Sequence, residues 1–321
     1  MKQTDAAYIG IDVSKETLDI DAGEFGALKI ANTPAEARKA LGGIARRARA
    51  ADVVTLHICF ESTGPYTGAL AAECAARGMP YSILNPYRVA CFAKSVAQAK
   101  TDRIDASAIR RYAEARRPAR TPLPDKAAAK LDEFLLARDA VMKCIVATRA
   151  LLETVKAPAA AKPLERIIAF SEKKIAEYDR LIAGAVHADA RTAGLVAALS
   201  SVKGVGTLTA AKVAAWMPEI GTLGRRKAAA LSGLAPHTRE SGKWKGRARI
   251  GGGRKCVRDA LFMPATVAIR HDPHLRRVYE GHRARGKPHK VALAAVMRKL
   301  ICHLDRVARD YRRTQCPEAQ P

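Results

Sequence analysis

Residues 7–117 alternate short apolar runs with helical periodicity in an order that few folds can accommodate. Ala7–Val13 (AYIGIDV) is an apolar run with an acid near its end. Thr17–Ala22 and Ala27–Ala31 follow with period-two alternation and glycine punctuation, which predicts a three-stranded antiparallel meander. Thr33-Pro34-Ala35-Glu36 is a capping box with proline at the first helical position, predicting a helix to about Ala50. Val53–Glu61 (VVTLHICFE) reads as a second buried strand, again ending in an acid. Pro65–Arg77 predicts a helix, Tyr81–Leu84 a strand, and Pro86–Ser95 and Asp102–Arg117 further helices. Three strands, helix, strand, helix, strand, helix is the order of a ribonuclease-H-like α/β domain.

The acids in that frame carry chemistry. Asp102 and Asp105, three apart where a helix opens, would stand on one face one turn apart. Like charges that close repel unless a cation lies between them. A divalent metal suits, because hard cations take carboxylate oxygens. Taken alone, the pair is explained as well by a capped helix start with an acidic first turn. Asp12 and Glu61 tip the balance, since ligands gather at the carboxyl ends of strands in α/β sheets. Four acids around one point could hold two Mg²⁺ or Mn²⁺ ions, stabilising the attacking and leaving oxygens of a phosphodiester. Gly10-Ile11-Asp12-Val13-Ser14 also matches the phosphate-loop strand of sugar-kinase and actin-like folds. The chain lacks a second glycine-rich nucleotide loop, however, and is far too basic for that class.

After Pro118, Pro122 and Pro124 the composition shifts to Ala, Lys, Glu and Leu. Residues 125–157 and 163–187 place apolar side chains at helical spacing, from Leu131 to Val155 and from Leu164 to Val186. They predict an antiparallel hairpin of coiled-coil type, its arms separated by Pro158 and Pro163, in a form that commonly mediates oligomers. Three segments follow: 1–120, an α/β domain; 121–190, the hairpin; and 191–321, a mainly helical end.

Net charge is +25, and residues 191–321 hold most of the excess, with 27 Lys and Arg against 8 Asp and Glu. Such a field attracts polyanions, nucleic acid first among them. No apolar run approaches the ~20 residues of a membrane span. The N-terminus lacks the apolar stretch of a signal peptide, and seven scattered cysteines form neither a disulfide framework nor a zinc pattern. Both point to a reduced, cytoplasmic protein whose cysteines are small core residues.

Within that basic end, Lys203-Gly204-Val205-Gly206 resembles the turn of a helix-hairpin-helix, which aims backbone N–H groups at a phosphate. A plain tight turn reads almost as well. Lys227–Leu234 predicts a helix, and Val257–Arg270 and Lys290–Arg312 two amphipathic ones. Between them, residues 238–255 are too irregular for a helix. There Ser241 lies in a loop with Arg239, Lys243, Lys245, Arg247, Arg249, Arg254 and Lys255 nearby in sequence. Clustered guanidinium groups could clamp a phosphate and stabilise transition-state charge. A serine is a poor nucleophile without activation, no general base is adjacent, and His237 reads as a loop histidine. The residues alone therefore favour a phosphate-contacting or solvated serine.

Together these segments resemble one family: the DEDD-type insertion-sequence transposases of the one-ten, one-sixteen and nine-oh-two group. The matching residues are Tyr8 to Lys15, Phe60 to Tyr66, Asn85-Pro86 and Lys100 to Ala106. Further on they are Gly204-Val205-Gly206, Gly233 to Pro236, Ser241-Gly242, Gly251 to Arg258 and Arg285 to Pro288. The resemblance implies a RuvC-like N-terminal domain, a coiled-coil insert and a C-terminal domain with a catalytic serine. It also implies a metal-binding tetrad of Asp12, Glu61, Asp102 and Asp105, with Ser241 as the nucleophile that joins covalently to a DNA end. Donor and target DNA, a structured guide (bridge) RNA from the element itself, and a homo-oligomer (dimer or tetramer) are the implied partners. The carboxylates and Ser241 are distant in sequence, so a composite active site, within one subunit or across two, is expected. Two other readings of the residues remain: a junction-resolving nuclease using water, and a nucleic-acid-binding protein with no catalytic step.

Overall fold

In the computed structural model the described residues run from 6 to 315, apart from 54, 62–63, 97–105, 122–125, 239, 242–243 and 247. At 64–65, 96, 126–127, 240–241 and 244–245 the description is of the backbone alone. The chain divides into two compact units, Met1–Leu123 and Pro124–Pro321.

The first unit is built on β1 (Ala7–Val13), the middle strand of a five-stranded sheet. β2 (Thr17–Asp21) and β3 (Ala27–Ala31) complete the expected antiparallel meander. After α1 (Pro34–Ala50), β4 (Leu56–Glu61) pairs parallel to β1. After a short 3₁₀ turn and α2 (Gly68–Ala76), β5 (Tyr81–Leu84) pairs parallel to β4. The strand order is β3-β2-β1-β4-β5, a mixed sheet compatible with the ribonuclease-H-like arrangement expected from the sequence. α3 (Pro86–Val96) and α4 (Ala106–Arg116) complete the unit. Thr33 caps α1 as predicted, its side chain accepting from the Glu36 amide at 3.3 Å.

Strand alternation assigns the faces. Ile9, Ile11 and Val13 pack with Leu41 and Ile44 of α1 and Leu70 of α2 in one core. Each such burial is worth roughly 1.5–3 kcal/mol. The residues between them, Tyr8, Gly10 and Asp12, take the opposite face, where Cys59, Leu84, Val89, Ile109 and Ala113 form a second core. Gly10 is what lets α4 lie down on that face: a Cβ there would overlap the Ala106 carbonyl and the Arg110 amide.

In the second unit α5 (Lys126–Leu152) and α6 (Pro158–His187) form the antiparallel hairpin. Arg138 pairs with Asp179 and Arg149 with Glu172, a register that runs the arms in opposite directions. Pro163 does not separate the arms. It lies inside α6, whose first residue is Pro158, and the connection is 153–157. Pro163 is the sixth residue of the helix and has no amide to give the Ala159 carbonyl, so α6 runs through it one backbone hydrogen bond short. At the base, Leu131, Leu135, Ile182 and Val186 join the same core as the helices that follow, so the hairpin grows out of the second unit.

Those helices are α7 (Ala190–Ser200), α8 (Thr207–Trp216), α9 (Gly224–Leu231), α10 (Lys255–Ala260), α11 (Phe262–His271), α12 (Pro273–Ala284) and α13 (His289–Gln315). The single helix expected over Val257–Arg270 is broken at Leu261, between α10 and α11. α12 went unpredicted, although Asp272 caps it through the amides of His274 and Leu275 and Pro273 opens it. The serine segment, expected as an irregular loop, contains two short antiparallel pairs. β6 (Pro236–His237) pairs with β9 (Arg249–Ile250), and β7 (Glu240–Ser241) with β8 (Trp244–Lys245).

Of the described cysteines, all free thiols, only Cys59 and Cys74 are buried as core residues, burial pushing both thiols up to about 12. Cys91, Cys144 and Cys256 are exposed, because each falls on the outer face of its helix. Among the described residues no helix is long and apolar enough to cross a membrane.

Candidate active site

Register brings two of the four predicted acids side by side. Ile11 of β1 stands opposite Phe60 of β4, so the next residues along the parallel strands are Asp12 and Glu61. Both are at the carboxyl ends of their strands, on the face that α4 covers. Glu61 is only 8% exposed, and among the described residues its Oε1 has no hydrogen-bond partner. Burial first, and the Asp12 carboxylate second, push the Glu61 carboxyl above its ordinary value. A buried carboxylate oxygen without a donor is costly, and a second acid beside it adds to the cost. A divalent cation shared by the two would offset both, so this pair of hard oxygen donors fits the metal the acidic cluster implies. Asp102 and Asp105 lie outside the described residues. Among the described residues no group of three or more metal-ligating side chains gathers.

A third carboxylate, which the sequence reading missed, extends the row. Asp19 of β2 stands opposite Asp12, and Lys29 of β3 opposite Asp19. The Lys29 ammonium lies 3.1 Å from the Asp19 carboxylate. Across the sheet the row therefore reads Lys29, Asp19, Asp12, Glu61. The signal was present in Thr17-Leu18-Asp19-Ile20-Asp21, where alternation puts two acids on one strand face. Asp21, the other one, pairs with Arg110 of α4 at 3.1 Å, and Arg110 also holds Glu114. That pairing ties α4 to the acidic face.

In the second unit Ser241 stands at the end of a short hairpin, opposite Trp244. The base of the segment is pinned. His237 Nε2 lies 3.3 Å from the Gly251 carbonyl, and the turn glycines Gly233 and Gly253 interlock so tightly that a Cβ on either would overlap backbone. Arg258 donates to the carbonyls of Gly233 and Gly252 across that contact.

The predicted nucleic-acid contacts are placed unevenly. Lys203 is exposed in the turn between α7 and α8, and Gly206 is the N-cap of α8. Gly204, at φ +89°, backs onto α11, where a Cβ would come within 2.9 Å of the Pro264 carbonyl oxygen and the Ala268 amide. Arg249 is exposed on β9. Arg254 makes two hydrogen bonds to the Glu219 carboxylate at 2.6 and 2.7 Å and a third to the Trp216 carbonyl. Lys255 pairs with Asp259 one turn on. Arg239, Lys243 and Arg247 lie outside the described residues, and Lys245 is described in its backbone alone.

A sheet that aligns carboxylates at its strand ends, in one chain with a strongly cationic helical unit, defines a nucleic-acid-processing enzyme. Comparison with known proteins gives the particular kind. A family model described as "Transposase", of the DEDD type, matches residues 9–156, and the model "Transposase IS116/IS110/IS902 family" matches residues 196–280. Over 302 residues the chain is 26% identical to the pilin gene-inverting protein of Moraxella bovis, covering 92% of this chain and 93% of that one. The pilin gene-inverting protein of Moraxella lacunata matches to the same extent. An uncharacterized 43.6 kDa protein of insertion element IS110 from Streptomyces coelicolor is 33% identical over 146 residues, 44% of this chain and 36% of that protein. The chain belongs to the IS116/IS110/IS902 family of transposases and is a DNA-recombining enzyme. Its DEDD domain points to dependence on a divalent metal ion.

Proposed function

We propose that this transposase cuts and rejoins DNA strands with Ser241 as nucleophile and with Asp12, Glu61, Asp102 and Asp105 as metal ligands. The observation that carries the reading is the adjacency of Asp12 and Glu61 on parallel strands, with one Glu61 oxygen buried and unpartnered among the described residues. Ala106, next in sequence to Asp105, lies with its carbonyl against Gly10, two residues before Asp12, which supports the same tetrad. Mg²⁺ or Mn²⁺ bound there would supply Lewis-acid stabilisation of phosphodiester oxygens. Ser241 Oγ gives up its proton and attacks phosphorus, forming a phosphoserine bond as the bond to the departing sugar oxygen breaks and that oxygen takes a proton. A sugar hydroxyl of the new partner strand then attacks the phosphoserine, restoring a phosphodiester and freeing the serine. Arginines of the serine segment would balance the charge that develops at phosphorus.

On this reading a guide RNA from the element pairs with donor and target DNA, delegating sequence choice to base pairing. The hairpin of α5 and α6 serves as an oligomerisation arm. Its exposed Leu136, Val146, Ile167 and Phe170 support that role. The decisive experiment incubates the protein with nicked duplex DNA and divalent metal and looks for a detergent-stable protein–DNA adduct. Ser241→Ala is expected to lose the adduct and strand exchange together while binding DNA normally. An adduct that persists in Ser241→Ala, or wild-type cleavage with no adduct, would sink the serine mechanism. Sequencing the RNA that co-purifies tests the guide, and strand exchange by RNA-free protein would exclude it.

A further inference from the structure

The second unit contains a groove of about 1350 Å³ whose described lining residues include, of the predicted basic contacts, only Arg249. One long wall is a single face of α13, where Lys290, Arg298 and Lys299 flank the small residues Ala294 and Ala295. α9 adds Arg225 and Arg226, the turn before α13 adds Lys287, and β9 adds Arg249. No Asp or Glu is among its described lining residues. None of these seven cations pairs with a carboxylate among the described residues, and Lys290, Arg298 and Lys299 are exposed. Elsewhere in the same unit Arg138, Arg149, Lys212, Arg254, Lys255 and Arg309 all hold acids. Charge compensation in this unit is thus concentrated outside the groove, which leaves the groove's own charge directed outward.

The chemistry selects the ligand. Seven cations in one concavity, none paired with an acid among the described residues, favour a polyanion, and the volume exceeds the ~300–1,000 Å³ of small-molecule pockets. Among the described lining residues only His282 is aromatic, which favours a duplex backbone over a single strand that needs stacking platforms. Burial and the neighbouring Arg285 and Lys287 push the His282 imidazole below its ordinary value, so the groove's cationic character rests on its lysines and arginines. From Lys290 to Cys302 the α13 face runs about 18 Å, the rise of about five phosphates along one strand of a duplex. Ala294 and Ala295 on the wall allow a backbone ridge to approach closely.

We infer that this groove grips one phosphodiester backbone of double-stranded DNA without reading sequence. β9, which forms part of its wall, closes the pair that brackets the Ser241 segment. The inference rests on the chain's being a DNA transposase and is independent of whether Ser241 is the nucleophile.

The test is fluorescence anisotropy of the full chain with a labelled duplex of arbitrary sequence, across a salt series. Lys290→Gln, Arg298→Gln and Lys299→Gln together are expected to weaken binding at least about tenfold at 0.1 M salt. The slope of log K against log salt should fall by about 2.7, at ~0.9 for each phosphate no longer neutralised. A control triple on α6, Lys162→Gln, Arg166→Gln and Lys173→Gln, removes the same charge and should leave the slope unchanged. Arg298→Lys with Lys299→Arg keeps the charges and should retain wild-type binding, which guards against a folding defect. Equal losses in both triples, or no loss in the groove triple, would overturn the groove. A loss confined to duplex RNA of the same sequence would overturn DNA as its ligand. Ser241→Ala should bind like wild type, so failure of the serine mechanism and failure of the groove are distinguishable.

Discussion

Lys29, Arg38, Arg77 and Arg110 of the first unit each hold a carboxylate, whereas Arg225, Arg226, Arg298 and Lys299 of the second hold none among the described residues. The contrast divides the work of the enzyme. In the first unit these four cations hold neighbouring acids, while Asp12 and Glu61 stand side by side, where geometry must be exact to within a bond length or so. In the second, positive charge is spread over several elements and acts as a field, so no single cation decides affinity. Chemistry should therefore respond to single substitutions of Asp12, Glu61 or Ser241, and affinity mainly to multiple substitutions among the second unit's cations.

The largest expected effect breaks or upholds that contrast directly. Asp12→Ala or Glu61→Gln should lower metal-dependent strand cleavage by about 10³-fold, the scale of losing a preorganised electrostatic contact, with duplex affinity retained. Parallel loss of cleavage and affinity in the two variants would mean that the units do not divide the work in this way. Gly10→Ala comes next. Its new methyl must push α4 off β1, costing about 1–3 kcal/mol in a urea melt and lowering cleavage more than affinity.

Glu73→Gln probes a paired acid away from the site. Arg77 above all, and then Arg38, hold the Glu73 carboxyl below its ordinary 4.5. The stability it contributes is thus present at neutral pH and is lost as pH falls below the usual glutamate range. The variant should be less stable than wild type by about 1 kcal/mol at pH 7, and the difference should shrink progressively as the solution is acidified. The smallest effect is expected at Arg254→Ala. That guanidinium braces Glu219, whose carboxyl it holds below its ordinary value, and the pair is partly exposed. A loss of about 0.5–1 kcal/mol with little change in DNA affinity would mark it as a brace, whereas a tenfold affinity loss would return it to the DNA contacts.

Most of the first unit was legible in the chain because strands and capped helices are written in local spacing. AYIGIDV and the Thr33 capping box each predicted an element within a residue or two of where it lies. The acids at strand ends were legible for the same reason, since alternation fixes which residue terminates a strand and which way it faces. Asp102 and Asp105 are outside the described residues, and their part in the site rests on the family motif. Pro163 was misjudged because a proline at the sixth helical position removes one backbone hydrogen bond, and the rest of this 30-residue helix outweighs that loss. The break at Leu261 was missed because two short amphipathic helices share one periodicity with a single longer one, whereas α12 was missed although its Asp272-Pro273 start is written in the sequence.

Other features depend on contacts between residues far apart in the chain. Asp19 joins the acidic row only through the register of β1 with β2, which sets it opposite Asp12. Gly10 matters only because α4, from a distant part of the sequence, lies against it. The basic C-terminal composition announced a polyanion, yet it could not say which of its cations are free. That depends on which ones fold beside an acid: Arg254 does, beside Glu219, and Arg298 does not among the described residues. Composition and periodicity are sums over neighbours in sequence, so they settle the elements, the class of partner and the candidate acids. Charge compensation is a property of neighbours in space, so the tertiary structure alone separates the bracing cations from those that can meet DNA.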